Sequence, residues 1–275
     1  MGKERRSPLD EHGARSAVRT ANLVEIFSSI QGEGPDVGAA TLFVRFGGCD
    51  LRCRWCDSAH TWQPVAECRI ETARSSGQWS TRPNPLPVDE IVAAAWSLDA
   101  KAHRFVSLTG GEPLLQPAAV KALAEALRRL GPAIHLETHG LASEALEGLV
   151  ESIDVVAMDW KLASDVRRAS DPPRGAVAEF HDAHQRFLEI AKRAPRVVVK
   201  LVITPRSTDA EIDEAIARIA RVHGGATVVL QPVTPCGDTR ERPTAERMLL
   251  LSARAGLRLA DIRVIPQTHP IYGVR

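Results

Sequence analysis

Short runs of β-branched residues alternate with helical patterns along most of this 275-residue chain. The runs that read as strands fall at residues 41–46, 104–108, 133–137, 155–158, 197–203, 227–231 and 262–265. Strands separated by helices pair in parallel, because each helix returns the chain through a right-handed crossover. The alternation therefore predicts an α/β fold built on a mainly parallel sheet.

Three of the segments between these runs carry apolar residues at helical spacing. Pro117 can begin the first helix and Gly131 can close it. The second begins at Thr208, whose side chain can form a capping box with Glu211 three residues later. The third has an apolar face that starts at Phe180. These segments supply helices that can cover the faces of the sheet.

The chain is long enough for one large core, since 44% of its residues are hydrophobic. Barrels of the α/β class with about 250 residues form single domains, so we expect one domain over residues 22–275. Residues 1–21 are polar and charged and predict a disordered tail. Residues 61–87 contain several prolines and serines and follow neither period, which predicts a loop or an insertion over one face.

Charge and cysteine usage exclude several classes of protein. Lys and Arg number 35 against 34 Asp and Glu, so no basic excess favours nucleic acid or an anionic membrane surface. No stretch approaches the roughly 18 consecutive apolar residues of a membrane span. Of five cysteines, three are clustered, which argues against a secreted disulfide framework. We expect a cytoplasmic protein.

The cysteine cluster comprises Cys49, Cys53 and Cys56, directly behind Gly47-Gly48. Thiolates this close on a glycine-bearing loop can all face one inorganic centre, and three of them leave a further coordination position for a reacting group. The alternative is a structural zinc ion that His60 would complete. Cys68 and Cys236 are expected to be ordinary small residues.

Polar residues gather where the predicted strands end. They are Thr109 to Glu112, Glu137 to His139, Asp159 to Lys161, Lys200, Gln231 and Gln267 to His269. The carboxyl ends of parallel barrel strands meet at one face, where active sites are built. Any one of these residues alone could be a helix cap or a solvated surface group, but their shared location predicts an active site.

The Cys-x3-Cys-x2-Cys spacing, followed by Gly110-Gly111-Glu112-Pro113 after the second predicted strand, resembles the radical S-adenosylmethionine superfamily. The resemblance implies a partial parallel (β/α) barrel with about six core strands. It also implies a [4Fe–4S] cluster on the three cysteines, with S-adenosylmethionine on the fourth iron. Trp55 would pack near the adenine, and the Gly-Gly-Glu-Pro segment would hold the methionyl amine.

Other residues narrow the resemblance. Gln31-Gly32-Glu33-Gly34 precedes the first predicted strand, Arg45 lies within it, Ser58 follows the cysteines, and Gln267-Thr268-His269 stands near the C-terminus. Together they resemble the 7-carboxy-7-deazaguanine synthase family, from about Leu23 to Val274. The resemblance implies ring contraction of 6-carboxy-5,6,7,8-tetrahydropterin with loss of ammonia, on the route to queuosine and related deazapurines.

The site residues that this resemblance implies fall into four groups. The substrate would contact Ile30, Gln31, Gly32, Arg45, Thr109, Lys200 and His269. S-adenosylmethionine would contact Trp55, Gly110, Gly111, Glu112, Asp159, Trp160, Lys161, Gln231, Pro232, Val233 and Thr234. Glu137, Lys161 and His269 would be catalytic, and Ser58 would present its hydroxyl to Mg²⁺. Many members have Ser-Pro-Lys where this chain has Asp159-Trp160-Lys161.

The resemblance also implies a flavodoxin-like electron donor and a homodimer. Two other functions remain open from the residues alone. A glycyl-radical-enzyme activating enzyme shares the cysteine motif but acts on a protein partner and would not need Gln31, Ser58 and His269. A structural zinc-binding module would use the cysteines without catalysis.

Overall fold

The computed structural model describes residues 19–172 and 179–274. The strands are β1 (Thr20–Ala21), β2 (Leu23–Ile30), β3 (Ala40–Phe46), β4 (Leu51–Cys53), β5 (Glu67–Glu71), β6 (Trp79–Pro83), β7 (Leu86–Pro87), β8 (Phe105–Gly110), β9 (Ala133–Thr138), β10 (Val155–Asp159), β11 (Val166–Arg168), β12 (Arg196–Ile203), β13 (Thr227–Pro232) and β14 (Ile262–Val264). The α-helices are α1 (Val88–Ser97), α2 (Pro117–Arg128), α3 (Ser143–Glu147), α4 (His181–Ala191), α5 (Asp209–His223), α6 (Ala245–Gly256) and α7 (His269–Tyr272).

One sheet of ten strands organises the described residues, in the order β14-β13-β12-β10-β9-β8-β3-β2-β5-β6. From β3 to β14 every neighbouring pair is parallel, and each new strand is added on the same side of the last. This is the strand order of a (β/α) barrel that has not closed, with β14 and β6 at its edges. The α/β class, the parallel sheet and each predicted strand are confirmed.

The predicted helices are confirmed as well. Helix α2 begins at Pro117 and buries Val120, Leu123 and Leu127 against the sheet, and Gly131 follows it with φ +112°. Helix α5 has the predicted capping box: the Thr208 side chain accepts from the Glu211 N–H, and the Glu211 carboxylate accepts from the Thr208 N–H. None of the helices in the part of the chain that the structure describes is long and apolar enough to cross a membrane.

Residues 61–87, predicted as a loop or an insertion, contain the strands β5 and β6, which pair in antiparallel and extend the sheet beyond β2. The Arg69 guanidinium lies 4.3 Å from the centre of the Trp79 ring across this pair. Most residues of predicted tail 1–21 lie outside the described residues, but Thr20 and Ala21 form β1 and pair with β7. Ala21 is buried there, so the ordered domain begins earlier than predicted.

Candidate active site

A cavity of about 670 Å³ lies at the carboxyl ends of the parallel strands. Cys49, Cys53, Cys56 and Trp55 line one part of it. The other residues of the predicted site that line it are Ile30, Gln31, Gly32, Arg45, Ser58, Thr109, Gly110, Gly111, Glu137, Asp159, Lys161, Lys200 and His269. The fold therefore gathers residues from eight separate segments of the sequence into one space, as the strand-end pattern predicts.

The cysteine loop is held by backbone contacts on both sides. Cys53 ends β4, whose antiparallel partner β11 is part of no other pairing in the described residues. The N–H of Cys49 donates to the Trp62 carbonyl at 3.1 Å, and the N–H of Arg54 donates to the Asp165 carbonyl at 3.0 Å. All five cysteines of the chain are free thiols. Three of them are thus presented to the cavity by a fixed backbone.

The chemistry of these thiols fits a cationic inorganic centre. Burial raises the pKa of Cys53 to about 12, against a smaller opposing effect of Lys161. A thiolate in such a place needs a cation, and coordination to a metal deprotonates a thiol outright. Within the described residues no three His, Cys, Asp or Glu side chains are grouped to hold one metal ion. A [4Fe–4S] cluster fits three cysteines on one loop, because it takes thiolates on separate irons.

Two glycines at the end of β8, Gly110 and Gly111, are required by packing against the end of β3 and the loop that follows it. Gly110 has φ +128°, and a Cβ there would lie 2.3 Å from the Phe46 carbonyl oxygen. A Cβ on Gly111 would lie 2.2 Å from the Gly48 carbonyl oxygen. The two glycines let the ends of β3 and β8 approach each other, which places the cysteine loop. Both also line the cavity, and their predicted contact with a ligand stays a prediction.

Glu112 does not line the cavity, and its place in the cofactor site stays a prediction. Its side chain is fully buried and accepts hydrogen bonds from the Leu114 N–H at 2.9 Å, the His139 N–H at 2.8 Å and the Thr138 hydroxyl at 2.8 Å. The carboxylate oxygens are occupied by these donors. Glu112 therefore ties the loop after β8 to the end of β9.

A chain of alternating charges crosses the cavity wall. Asp159 lies 2.6 Å from the Lys161 ammonium and 3.1 Å from that of Lys200, which also contacts Glu33. Burial alone would raise the pKa of Asp159, but the two ammonium groups outweigh it and lower that pKa to about 2. The Lys161 ammonium lies 4.5 Å from the centre of the Trp55 ring. Asp159 thus fixes the two lysines that face the cavity.

The Trp160 side chain does not line the cavity, and its contact with S-adenosylmethionine stays a prediction. It is buried, and its indole N–H donates to His181 at 3.0 Å. Its ring also lies 5.0 Å from that of His184, whose pKa burial lowers to about 3. The neutral His184 ring accepts from the Lys161 N–H at 2.8 Å. Trp160 and His184 therefore support the backbone that carries Lys161.

Residues 231–234 are also absent from the part of the cavity wall that the structure describes. Gln231 and Val233 are each 2% exposed, and the Val233 N–H donates to the Ile203 carbonyl at 2.9 Å. Pro232 lies in register with Ile203, and Thr234 follows directly. This segment continues β13 along β12. The contact of Gln231, Pro232, Val233 and Thr234 with S-adenosylmethionine stays a prediction.

A polar wall lies beside the charged chain, on β9 next to β10. The Glu137 carboxylate accepts from the Gln31 amide at 2.8 Å, the Ser107 hydroxyl at 2.8 Å and the Thr109 hydroxyl at 2.7 Å. Burial favours the protonated acid, but His135 and these hydrogen bonds hold the pKa of Glu137 below its ordinary value. Glu137 is therefore a carboxylate at neutral pH.

Arg45 is paired, with its Nε 3.0 Å from a Glu25 carboxylate oxygen. Its side chain is 18% exposed, and the guanidinium also lies 5.6 Å from the centre of the Phe27 ring. An arginine fixed by a carboxylate on one edge keeps its other donors directed elsewhere. Arg45 is thus a cation of defined orientation on the cavity wall.

The C-terminal motif packs onto the Gln31–Gly34 segment. The Thr268 N–H donates to the Gly32 carbonyl at 2.9 Å, and the Gln267 amide donates to Glu33 at 2.5 Å and Asp57 at 3.0 Å. A Cβ on Gly32 would lie 2.8 Å from the His269 ring. The glycine is required because His269 stands against it at the cavity.

Several cavity residues are missing from the prediction. They are Glu25, Glu33, Asp57, Arg69 and His135. Glu33 and Asp57 sit inside motifs that the sequence already singles out, so the signal for them was present. Glu25 and Arg69 lie on β2 and β5, neither of which is among the predicted strands, so no strand-end argument reaches them.

Comparisons with known proteins agree with this geometry. Residues 43–219 match the radical SAM superfamily. A 7-carboxy-7-deazaguanine synthase from Geobacter sulfurreducens is 35% identical over 257 residues, which cover 92% of this chain and 97% of that protein. A 7-carboxy-7-deazaguanine synthase from Thermococcus kodakarensis is 34% identical over 221 residues, covering 78% of this chain and 84% of that protein.

Solved structures show the same fold. QueE from Escherichia coli superposes with a TM-score of 0.55 at 20% identity, covering 94% of this chain and all of that chain. A radical SAM methyltransferase from Sphaerobacter thermophilus gives 0.56 at 19% identity, covering 85% of this chain and 67% of that chain. The sequence matches then settle the family. This chain belongs to the radical SAM superfamily and, within it, to the 7-carboxy-7-deazaguanine synthase family.

Proposed function

We propose that this protein converts 6-carboxy-5,6,7,8-tetrahydropterin to 7-carboxy-7-deazaguanine with loss of ammonia. The observation that carries the proposal is the single cavity of about 670 Å³ that joins the cysteine loop to the polar wall around Glu137. A radical made at the cysteine loop can reach a pterin held on that wall without passing through solvent. The name shared by the relatives supports the same reaction.

Cys49, Cys53 and Cys56 would hold the cluster, and the family implies S-adenosylmethionine beside it. When bound, the reduced cluster and S-adenosylmethionine together supply the 5′-deoxyadenosyl radical that removes hydrogen from C6 of the pterin. The protein positions the substrate and the cofactor and excludes water from the site. Gly110 and Gly111 set the cysteine loop, while Trp55 and Lys161 present a ring face and a fixed cation to the cofactor.

The polar wall suits the substrate. A pterin presents an amino group and a ring N–H side by side, and the Glu137 carboxylate, which already accepts from three donors, keeps one acceptor site for one of them. The substrate carboxylate needs a cation, for which Arg45 is oriented by Glu25. Ile30, Gln31, Gly32, Thr109 and Lys200 complete the proposed contacts. The His269 imidazole, beside Gly32, can carry a proton during loss of ammonia.

Mg²⁺ would bind between the substrate carboxylate and Ser58. The ion prefers oxygen ligands, and the Ser58 hydroxyl lies on the cavity wall, 3.9 Å from the Cys56 sulfur. With one protein oxygen proposed as a ligand, this site should be weak before the substrate binds. The serine therefore supplies orientation rather than most of the affinity.

Replacing Ser58 by Ala is expected to weaken activation by Mg²⁺ and leave the cluster intact, because a hydroxyl is lost and no thiolate is changed. We expect turnover to fall about tenfold or more, as for loss of one precisely placed oxygen. Turnover against Mg²⁺ concentration measures the effect. Ser97→Ala, at an exposed serine in α1, is the matched control. An unchanged Mg²⁺ dependence in Ser58→Ala would remove this residue from the metal site.

The rival function is activation of a protein by glycyl-radical formation. A protein-activating enzyme would need no pterin contacts, so titrating the pterin against the reconstituted protein separates the two functions. We also expect a flavodoxin-like electron donor, a homodimer and a cytoplasmic location. A cytoplasmic location suits the five free thiols, because thiols persist in a reducing compartment.

A further inference from the structure

A turn that follows β13 lies against the outer side of the cysteine loop. It comprises residues 236–239 and is closed by the Thr239 N–H, which donates to the Cys236 carbonyl at 3.0 Å. In sequence it stands 180 residues from the cysteine that it touches. The contact therefore exists only because the sheet brings the end of β13 beside the loop after β3.

Two contacts join the turn to the last residues of the cysteine motif. The Asp238 N–H donates to the Arg54 carbonyl at 2.8 Å. The Cys236 thiol donates to the Cys56 carbonyl at 3.6 Å. Since backbone carbonyls in a closed loop need partners, the turn satisfies groups that the loop cannot satisfy itself.

Gly237 makes this approach possible. It has φ +57°, and a Cβ there would lie 2.6 Å from the Arg54 carbonyl oxygen and 3.8 Å from that of Cys56. On the other side, the Arg54 N–H donates to the Asp165 carbonyl at 3.0 Å. The peptide between the second and third cysteines is thus held from two directions, and any side chain at position 237 would push it.

We propose that the turn 236–239 is a positioning element for the cluster, which keeps the Cys56 sulfur where the third iron contact needs it. A cysteine sulfur stands only two bonds from its backbone, so a shift of the neighbouring peptide moves the sulfur with it. Ligands are commonly held in this way by the groups behind them. The proposal rests on the proposed cluster site and is independent of the substrate.

Gly237→Ala is expected to assemble a cluster that is released to a chelator about tenfold or more faster than from the wild-type protein. Iron, sulfide and the visible absorbance of the cluster are followed over time under anaerobic conditions. Gly77→Ala is the matched control, because Gly77 has φ +66° and an added Cβ there meets nothing within 4 Å. Both variants carry the same backbone strain, so only the contact with the cysteine loop differs.

A second pair of variants tests the proposal even if Gly237→Ala fails to fold. Cys236→Ala is expected to assemble a complete cluster, because this cysteine is not a ligand, and to release it several-fold faster than wild type. Cys236→Ser keeps a donor to the Cys56 carbonyl and is expected to restore slow release. A purely space-filling role for Cys236 would not distinguish Ser from Ala.

The outcomes test the positioning role of the turn separately from the location of the cluster site. Release from Gly237→Ala at the rate of Gly77→Ala, or equal release from Cys236→Ala and Cys236→Ser, would overturn the positioning role. If Cys56→Ala instead keeps a full and slowly released cluster, the cluster site itself is wrong.

Discussion

Replacing Cys49, Cys53 or Cys56 by Ala is expected to abolish cluster binding and all turnover. Each cysteine lines the cavity, and each would supply one of three thiolates. Because a cluster site cannot lose a ligand without exposing an iron, we expect less than about a tenth of the wild-type iron and sulfide after anaerobic reconstitution. Iron and sulfide counts, with the visible absorbance, measure this result.

The remaining cysteines provide the controls. Cys68 is buried in β5, where its thiol faces the Arg69 carbonyl at 3.6 Å, and Cys236 contacts the loop from outside. Cys68→Ala and Cys236→Ala should therefore bind a full complement of iron. If Cys68→Ala loses the cluster as completely as Cys53→Ala, the assignment of ligands is wrong.

Glu112→Ala is expected to lower the free energy of unfolding by about 3 kcal/mol or more, because three buried donors lose their acceptor together. These donors are the N–H groups of Leu114 and His139 and the Thr138 hydroxyl. Their loss should free the loop after β8, so cofactor affinity should fall as a consequence. Denaturant unfolding of the apoprotein measures the first effect, and titration with S-adenosylmethionine measures the second.

The control is Glu125→Ala, whose carboxylate is half exposed and lies 4.0 Å from Lys121. Such surface pairs contribute at most about 1 kcal/mol. The family resemblance alone places Glu112 on the cofactor. A Glu112→Ala protein with wild-type stability and weakened binding of S-adenosylmethionine would support that assignment against the structural role described here.

The parallel core was predictable from the sequence. Each of its strands and helices buries one face, and this keeps the spacing of apolar residues regular. The sequence pattern did not predict β2 or the β5–β6 pair. Glu25 interrupts the apolar run of β2, and β6 carries exposed residues over most of its length, so neither shows a clear period. Of these strands, β6 lies at the edge of the sheet, where a pattern of burial is weak.

The predicted strand ends indicated where the cavity lies, but they did not indicate the direction of each side chain. Glu137, Asp159 and Lys200 face it, whereas Glu112 and Trp160 turn into the core. Position along a strand sets which residues reach the site. Whether a side chain near the end points in or out depends on partners distant in sequence, such as His139 for Glu112 and His181 for Trp160. Those partners carry no local signal.

The most direct test is conversion of the substrate. Protein with a full cluster is reduced and incubated without oxygen with S-adenosylmethionine, Mg²⁺ and 6-carboxy-5,6,7,8-tetrahydropterin, and the products are followed by mass. The Cys53→Ala protein, treated in the same way, is the control and should form no product.

We predict the mass of 7-carboxy-7-deazaguanine, with one ammonia released for each product and S-adenosylmethionine recovered rather than consumed. If the protein has an intact cluster and cleaves S-adenosylmethionine, yet no deazaguanine forms, the result would contradict the proposed reaction and favour activation of a protein partner.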